Sequence, residues 1–218
     1  MKKILCLLLA LCCVFSFVAC NGGDDDGIEV GNPLEEVVAA SAPTKIVTLV
    51  SYVYPEADPR HGADLDGNYV LEIEGSNSKF TYDFNTFATL EEGLDSWIKT
   101  VSGTIYVKDG AISNDGEDWE IITPATIGAK FNLDKTAFKT YEKSEDEKTL
   151  TATITGINIE SVLGYKIAAD GDVTVVITTD GFYMRGVTIT YKSQQGANVT
   201  IDTSYSYNKI ALDFPGEN

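Results

Sequence analysis

The sequence lacks most of the residues on which catalytic and metal sites depend. It has one histidine, His61, and its four cysteines, Cys6, Cys12, Cys13 and Cys20, all lie within the first 20 residues. Beyond Cys20 there is no thiol for a disulfide or a metal cluster, and no second histidine for a triad, a Cys-His dyad or a zinc site. No glycine-rich loop of the P-loop or dinucleotide-binding kind occurs either. We therefore expect a protein that is not an enzyme and that holds no metal or cofactor.

Basic residues are also scarce. Lys and Arg together number 16 against 33 Asp and Glu, which gives a formal net charge of −17. Without residues 1–19, which carry Lys2 and Lys3 but no acid, the charge becomes −19. So acidic a chain repels phosphate groups, which argues against nucleic acid and anionic lipid headgroups as electrostatic partners.

Long apolar runs are missing except at the start of the chain. The run from Ile4 to Val18 follows two lysines, is too short to cross a bilayer comfortably, and is typical of a secretory signal over residues 1–19. It ends in Phe17-Val18-Ala19-Cys20, which resembles the lipobox of bacterial lipoproteins. The resemblance implies that Cys20 is acylated, becomes the first mature residue and anchors the chain in a membrane. The alternative is an ordinary signal that leaves Cys20 as a free thiol.

Residues 20–31 are predicted to form a flexible linker that begins at the lipidated Cys20. The segment 21–27 has no apolar residue and three adjacent aspartates, and such a segment repels itself and stays solvated. An acidic run in this place is similar to the export tags of lipoproteins displayed on Gram-negative outer membranes. The expected location is therefore the cell envelope, at the outer membrane, with surface display as a further hypothesis.

Residues 32–218 are predicted to form a single domain, because a chain of this length can bury about 70% of its unfolded surface. Its clearest pattern is period-two alternation in three consecutive runs between Val173 and Asn208, with apolar residues on one face and Thr, Ser or Asp on the other. A two-residue turn at Asp180-Gly181 and a longer one around Gly196 connect them. The three runs therefore predict an antiparallel meander.

Upstream alternation predicts further strands, one over 45–54 and one from Tyr69, after a loop over 55–67. Capping and stop signals predict short helices over 33–42 and 158–164. Over 90–101 the spacing favours a helix followed by a strand from Gly103 to Val107, with one long strand over 97–107 as the alternative. The predicted fold class is mainly β, a β-rich α+β chain. We expect about nine or ten strands in a large curved antiparallel sheet, a half-barrel, with two or three short helices against its concave face.

This order of elements is similar to that of LolA-like and LppX/LprG-like lipoprotein domains, which are half-barrels. The resemblance rests on the element order and on the fragments Val101-Ser-Gly-Thr-Ile-Tyr106 and Ser161-Val-Leu-Gly164, and it departs from LolA in lacking a run of Arg near the mouth. It implies a carrier that binds a lipid or an acyl chain in a crevice of the sheet. Residues expected to line or underlie that crevice, or to close it, are Phe80, Tyr82, Phe84, Trp97, Leu163, Val187, Ile189, Tyr191, Val199, Ile201 and Tyr205.

Two acidic segments are weighed as chemical sites. Asp64, Asp66 and Asn68 alternate like calcium ligands, but the residues that follow do not match an EF-hand, so a turn is favoured. Glu72 and Glu74 are candidates for glycosidase carboxylates, but alternation places them on the polar face of a strand.

A second class of function uses aromatic side chains differently. Aromatic rings beside acids and hydroxyls form platforms for sugars when they are exposed, which would make the chain a surface glycan- or protein-binding lipoprotein with a fully packed core. The residues considered for this platform are Trp119, Tyr52, Tyr54, Tyr205 and Tyr207. Because Tyr205 and Tyr207 share a face with Val199 and Ile201, we expect them in the core.

Overall fold

The structure is a computed structural model and describes residues 34–40, 42–62, 65–87, 98–121, 133, 137–155 and 167–215. Its elements are a helix, α1 (Leu34–Ala40), and eleven strands: β1 (Lys45–Val53), β2 (Leu65–Glu74), β3 (Asn77–Phe87), β4 (Ile98–Lys108), β5 (Ala111–Ser113), β6 (Glu120–Ile121), β7 (Thr140–Lys143), β8 (Thr149–Thr155), β9 (Ala169–Thr179), β10 (Met184–Ser193) and β11 (Asn198–Ser206). Within these ranges no helix has both the length and the hydrophobicity to span a bilayer.

All eleven strands form one antiparallel sheet in the order β6-β5-β4-β3-β2-β1-β11-β10-β9-β8-β7. From β1 the chain steps outward to the edge at β6, and from the opposite edge at β7 it steps back to β11. The last strand then pairs with the first along its whole length, from Lys45 opposite Ser206 to Val53 opposite Asn198. This β1–β11 pair, the central seam, joins two meanders. The predicted fold class, mainly β with one large antiparallel sheet, is confirmed.

Alternation gives the sheet an apolar face and a polar face. In β11 every second residue is buried, from Val199 to Tyr205, and the residues between them are exposed. The register sets buried residues of neighbouring strands opposite one another, as with Ile189 and Ile201, so their side chains pack across the strands. We call this apolar side the inner face and the other the outer face. Helix α1 packs against the inner face through Leu34 and Val38.

The central seam also buries a polar pair. The hydroxyls of Thr48 and Thr203 lie 3.1 Å apart on the inner face, where both residues are buried. Each hydroxyl thereby gains the partner that a buried polar group needs. Because a one-residue shift of either strand would turn its threonine hydroxyl to the outer face and leave the other hydroxyl buried without this partner, the pair helps to fix the register of the seam.

Two predicted boundaries are wrong. The predicted loop over 55–67 ends earlier, because β2 begins at Leu65 and its first residues pair with β1, Leu65 opposite Tyr52. The predicted helix over 90–101 does not extend to its end, since β4 begins at Ile98, which pairs with Phe87 of β3. In both places cross-strand pairing outweighs a local preference for turn or helix. Residues 88–97 lie outside the described part of the chain.

The other differences concern short elements. A strand, β7, occupies residues 140–143, a segment for which no strand was predicted. The loop between β9 and β10 has four residues instead of two, and Asp180 N donates to Tyr183 O over 3.1 Å. Gly181 takes a φ of 97° there, a conformation that favours glycine. The predicted meander of β9, β10 and β11 is confirmed, and the helix predicted over 158–164 lies outside the described residues.

After β11 the chain turns back and crosses the sheet on its outer side. Asn208 O accepts a hydrogen bond from Thr44 Oγ1 (2.7 Å), and Leu212 N donates one to Glu74 Oε2 (2.9 Å) at the end of β2. Phe214 then packs against Tyr106 of β4 and against Trp119, with ring centroids 6.1 and 6.3 Å away. We call residues 207–215 the C-terminal strap. It connects the central seam to the edge at β5 and β6 without belonging to the sheet.

Candidate functional site

The inner face divides into two unlike halves. On β1 and β8–β11 it is mostly aliphatic, and none of its buried core residues is more than 8% exposed. On β2, β3 and β4 it carries four aromatic rings among aliphatic side chains such as Leu71 and Ile105, and Tyr69, Tyr82 and Phe84 remain half-buried. We call these two regions the aliphatic half and the aromatic half. Apolar side chains therefore remain accessible to a ligand on the aromatic half.

The residues predicted to line the crevice are split between the two halves. Phe80, Tyr82 and Phe84 lie together on β3 in the aromatic half. Six of them lie in the aliphatic half, on β10 and β11. Tyr191 is half-buried, and the other five are buried side chains that underlie the face: Val187, Ile189, Val199, Ile201 and Tyr205. Trp97, Leu163 and Cys20 lie outside the described residues. The role of these residues in ligand binding stays a prediction.

Four aromatic rings form the centre of the aromatic half. Tyr69 of β2 lies 6.3 Å from Phe80 and 6.1 Å from Phe84 between ring centroids, with interplanar angles of 9° and 22°. Tyr82 lies between the two phenylalanines on β3, at 5.9 and 6.1 Å. These are the separations at which aromatic rings attract one another. We call the four rings the aromatic floor.

Two glycines leave room for the two tyrosine rings of the aromatic floor to approach the sheet backbone closely. A Cβ atom on Gly67 would be 2.7 Å from Cε2 of Tyr69, and one on Gly103 would be 2.5 Å from Oη of Tyr82. Both distances are far below van der Waals contact, so only a residue without a side chain leaves room for the ring ends. Gly103 pairs directly with Tyr82 across β3 and β4, whereas Gly67 precedes Tyr69 by two residues on the same strand.

Two tyrosines, Tyr69 of β2 and Tyr52 of β1, lie where the aromatic half meets the aliphatic half. Burial raises the pKa of Tyr69 to about 12, and the nearby Tyr52 adds to this rise. Burial also raises the pKa of Tyr52, and its hydrogen bond with Tyr191 opposes part of that rise. The hydroxyls of Tyr69 and Tyr52 therefore stay protonated at neutral pH and can donate hydrogen bonds.

Sequence reasoning missed Tyr69, Gly67 and Gly103 as parts of the site. Tyr69 was predicted in a strand, but its position beside β3 depends on the pairing of Tyr69 with Tyr82, which a single sequence does not reveal. One signal was available, since each glycine occupies a position of the apolar alternation, between Leu65 and Tyr69 and between Val101 and Ile105. A glycine in such a position indicates that another group approaches the backbone closely.

The acidic segments considered as chemical sites face away from the aromatic floor. Asp66 and Asn68 belong to β2, so the turn favoured for them is wrong, and both are exposed on the outer face. Glu72 is on the same face and pairs with Lys45 Nζ at 3.0 Å. Nδ1 of His61 lies 2.8 Å from the carbonyl oxygen of Tyr54 in the loop after β1. In the described part of the chain, no three acidic or histidine side chains are grouped so that they could hold a metal ion.

A depression of about 430 Å³ lies on the outer face over β1, β2 and β11. Most side chains around it carry carboxylate, amide or hydroxyl groups: Ser51, Asp66, Asn68, Asp83, Asn85, Thr200 and Asp202. Leu49 stands among them and is 52% exposed. Thr188 Oγ1 donates to Asp202 (2.8 Å), and Thr100 Oγ1 donates to Asn85 (2.8 Å). The depression thus combines hydrogen-bonding side chains at its sides with the apolar surface of Leu49 and Val50.

The aromatic residues proposed as a sugar platform do not form one surface. Tyr54 and Tyr205 are buried, which agrees with the expectation that Tyr205 belongs to the core. Trp119 packs on Phe214 under the C-terminal strap. Tyr207 stacks on Tyr183 at 4.5 Å, beside the loop between β9 and β10.

The sequence matches no protein-family model and no curated protein. Among solved structures, the chain is similar to a LolA superfamily protein from Nitrosomonas europaea, with 12% identity, 82% of this chain and 93% of that chain covered, and a TM-score of 0.31. An S-type phycobiliprotein lyase from Guillardia theta is similar to it at 12% identity, with 83% and 95% covered and a TM-score of 0.33. A hypothetical protein from Chlamydia trachomatis is similar at 10% identity, with 85% and 98% covered and a TM-score of 0.30. A LolA superfamily protein is thus among the structural neighbours, but likenesses this weak carry no argument about ligand or activity.

Proposed function

We propose that this chain is a membrane-anchored lipoprotein of the cell envelope that binds a hydrophobic ligand, a lipid or an acyl chain, without acting on it as an enzyme. One observation supports the binding site. The aliphatic half of the inner face is filled by its own side chains, whereas Tyr69, Tyr82 and Phe84 of the aromatic half remain partly accessible. Accessible apolar patches on a folded protein commonly mark ligand-binding grooves or interaction sites.

Binding of this kind depends on area. Apolar surface removed from water contributes about 25 cal/mol per Å², so a ligand that covers a few hundred Å² of the aromatic floor gains several kcal/mol. The carboxylates of Asp66, Asp83 and Glu72 lie on the outer face and so do not oppose an apolar ligand on the inner face. The site therefore needs no reactive residue.

The membrane anchor follows from the sequence of the signal. The lipobox that ends at Cys20 supports acylation, and more than one acyl chain on one cysteine gives stable anchoring. The acidic linker over 20–31 then separates the domain from the bilayer, and its negative charge keeps it solvated. We place the protein at the outer membrane, with the outer leaflet as the hypothesis that the acidic run supports.

The ligand can be tested with a pair of adjacent substitutions. In native mass spectra of the mature chain, residues 20–218, produced without acylation, we expect one co-purifying or added lipid per chain. Phe84→Lys puts a charge on the aromatic floor and should reduce the bound fraction about tenfold, because the charge must be desolvated by an apolar ligand. Asp83→Lys, one residue away on the outer face, should leave the bound fraction unchanged. A mature chain that retains no lipid under any loading condition contradicts the proposal.

The anchor is tested separately by metabolic labelling. Cells that express the full chain and receive labelled palmitate should incorporate label into the wild type and none into Cys20→Ser, because the thiol is the acceptor of the acyl chains. The wild type should also fractionate with membranes. An unlabelled wild type, or a Cys20→Ser variant that keeps its label, would show that this residue is not the anchor.

A second candidate function is favoured by the depression on the outer face. Its carboxylates, amides and hydroxyls, together with the exposed Leu49, are groups that can contact the polar and apolar faces of a sugar. Binding to a glycan array that Asp83→Lys abolishes and Phe84→Lys leaves intact would favour a surface glycan-binding lipoprotein instead.

A further inference from the structure

A lysine stands at one end of the aromatic floor, and it narrows the ligand class. We infer that the inner face of β2–β4 binds an amphiphile with an anionic head group, which lies at Lys99 while the hydrocarbon covers the rings. The inference rests on the proposed function, since it specifies the ligand of the same site. It is based on the distribution of charge between the two faces of the sheet and on the position of Lys99 in β4.

The charged side chains of β1–β4 are divided unequally between the two faces. Eight described residues of these strands carry a charge: Lys45, Asp66, Glu72, Glu74, Lys79, Asp83, Lys99 and Lys108. The register places seven of them on the outer face, because they alternate along the strands with the residues of the inner face. Lys99 alone has an inner-face position. All four carboxylates of β1–β4 are therefore on the opposite side of the sheet from the aromatic floor.

The lysines of the outer face have neighbours that Lys99 lacks. Lys45 Nζ lies 3.0 Å from Glu72 Oε1, Lys79 pairs with the same glutamate across β2 and β3, and the Lys108 ammonium lies over the ring of Phe214. Within the described residues no carboxylate forms an ion pair with Lys99, which is exposed. A ligand on the inner face thus meets a cation that these residues leave uncompensated.

Lys99 lies just beyond the last ring of the aromatic floor. It pairs with Thr86 across β3 and β4, and the next inner-face pair along these strands is Phe84 with Val101. Lys99 and Phe84 are therefore diagonal neighbours, which lie about 7–8 Å apart in an antiparallel sheet, within reach of a long side chain. The methylene stem of a lysine can lie along apolar surface while its ammonium stays in water. The hydroxyl of Thr86 provides a second donor in the same place.

The accessible apolar surface begins at this end of the strands and is sealed at the other. Phe84 and Tyr82 are half-buried, whereas Phe80 and Ile105, farther along β3 and β4, are 6% and 5% exposed. An amphiphile can therefore lay its hydrocarbon on the rings and keep its head group at Lys99. A charge held at the edge of the floor stays hydrated, so binding does not incur the cost of burying it.

The acidity of the whole chain does not prevent this contact. A formal charge of −17 predicts repulsion of anionic head groups, but exposed charges separated by more than about 8 Å are largely screened at physiological ionic strength. The sheet itself stands between a ligand on the inner face and outer-face carboxylates such as Asp83. Among the charged residues of β1–β4, Lys99 is therefore the one that selects the head group.

The test compares three ligands that have the same straight chain and different head groups. They are decanoate, decan-1-ol and decyltrimethylammonium, titrated calorimetrically at neutral pH into the mature, unacylated chain, residues 20–218. We expect decanoate to bind about three- to fivefold more tightly than decan-1-ol, the upper part of the range for exposed ion pairs, and the cation to bind least tightly. Added salt should reduce the preference for decanoate.

Substitution of the lysine tests where the preference arises. Lys99→Gln removes the charge, so it should lower decanoate affinity about three- to fivefold and leave decan-1-ol affinity within about twofold. Lys99→Arg keeps the charge and should keep the preference. Lys192→Gln is the matched control, because Lys192 is an exposed lysine on the outer face of β10, opposite Asn198. Since both lysines are exposed, neither substitution empties a packed site.

The outcomes separate the two proposals. Equal or tighter binding of decan-1-ol than of decanoate overturns this inference and leaves the proposed function standing. If none of the three ligands binds, and the wild type retains no lipid, the proposed function fails with it. A preference for decanoate that Lys99→Gln leaves intact, or that Lys192→Gln reduces as much, shows that the head group lies elsewhere and overturns the assignment of Lys99.

Discussion

Ile189→Ala is expected to lower the free energy of unfolding by about 2–5 kcal/mol, the cost of emptying a fully buried site in a packed core. Ile189 is 0% exposed, lies opposite Ile201 of β11 and Val175 of β9, and belongs to the large core cluster of the aliphatic half. Because the strands around it are joined by continuous ladders, the gap has little freedom to collapse. Urea denaturation monitored by circular dichroism measures the change.

The control is the next residue on the same strand. Thr190 is exposed on the outer face, so Thr190→Ala removes no core packing and should cost at most about 1 kcal/mol, the range of strand preferences. If Ile189 instead lined a cavity already open to a ligand, Ile189→Ala would cost no more than Thr190→Ala. Equal effects of the two substitutions would therefore contradict a sealed aliphatic half.

Phe214→Ala is expected to cost about 3 kcal/mol, near the lower end of values for a buried phenylalanine. Phe214 is 6% exposed although it follows the last strand, because Tyr106, Trp119 and the Lys108 ammonium surround its ring. Its loss frees the C-terminal strap at its far end. Urea denaturation should show the loss in stability, and hydrogen exchange should show faster opening of β4 and β5 than of β9 and β10.

A phenylalanine on another loop provides the comparison for the strap. Phe182 is 56% exposed, so Phe182→Ala removes a similar ring with no packed surroundings and should change stability by no more than about 0.5 kcal/mol. If Phe214→Ala is as mild as Phe182→Ala, or if exchange rises equally over the whole sheet, the strap does not hold β4 and β5 in place.

Local pattern predicted the strands and the two faces of this sheet well where alternation was strict. The runs around Val175, Ile189 and Ile201 gave the correct meander. Phe80, Tyr82 and Phe84, which were expected along one surface, do lie on one face of β3. Prediction failed where apolar residues fell at spacings that suit both a helix and a strand. Residues 98–101 are the example, since their state is decided by pairing with β3, which is contact between distant parts of the chain.

The candidate site could be predicted only in part for the same reason. Alternation identified three of the four rings of the aromatic floor, but not which strands would lie beside β3. The contact of Tyr82 with Gly103 joins two strands, and the contact of Phe214 with Tyr106 joins the C-terminal strap to β4. Neither contact leaves a periodic signal, since each depends on the register of the assembled sheet.

The central seam has a consequence for the order in which the chain can assemble. Thr48 and Thr203, which meet in it, are 155 residues apart in sequence. Thr48 is synthesised long before Thr203. Each meander can therefore form its own strand pairs while the edge of β1 that pairs with β11 is still unpaired. Closing so large a loop is slow. Until β11 is synthesised, the nascent chain exposes the unpaired edge of β1, to which chaperones or other chains can bind.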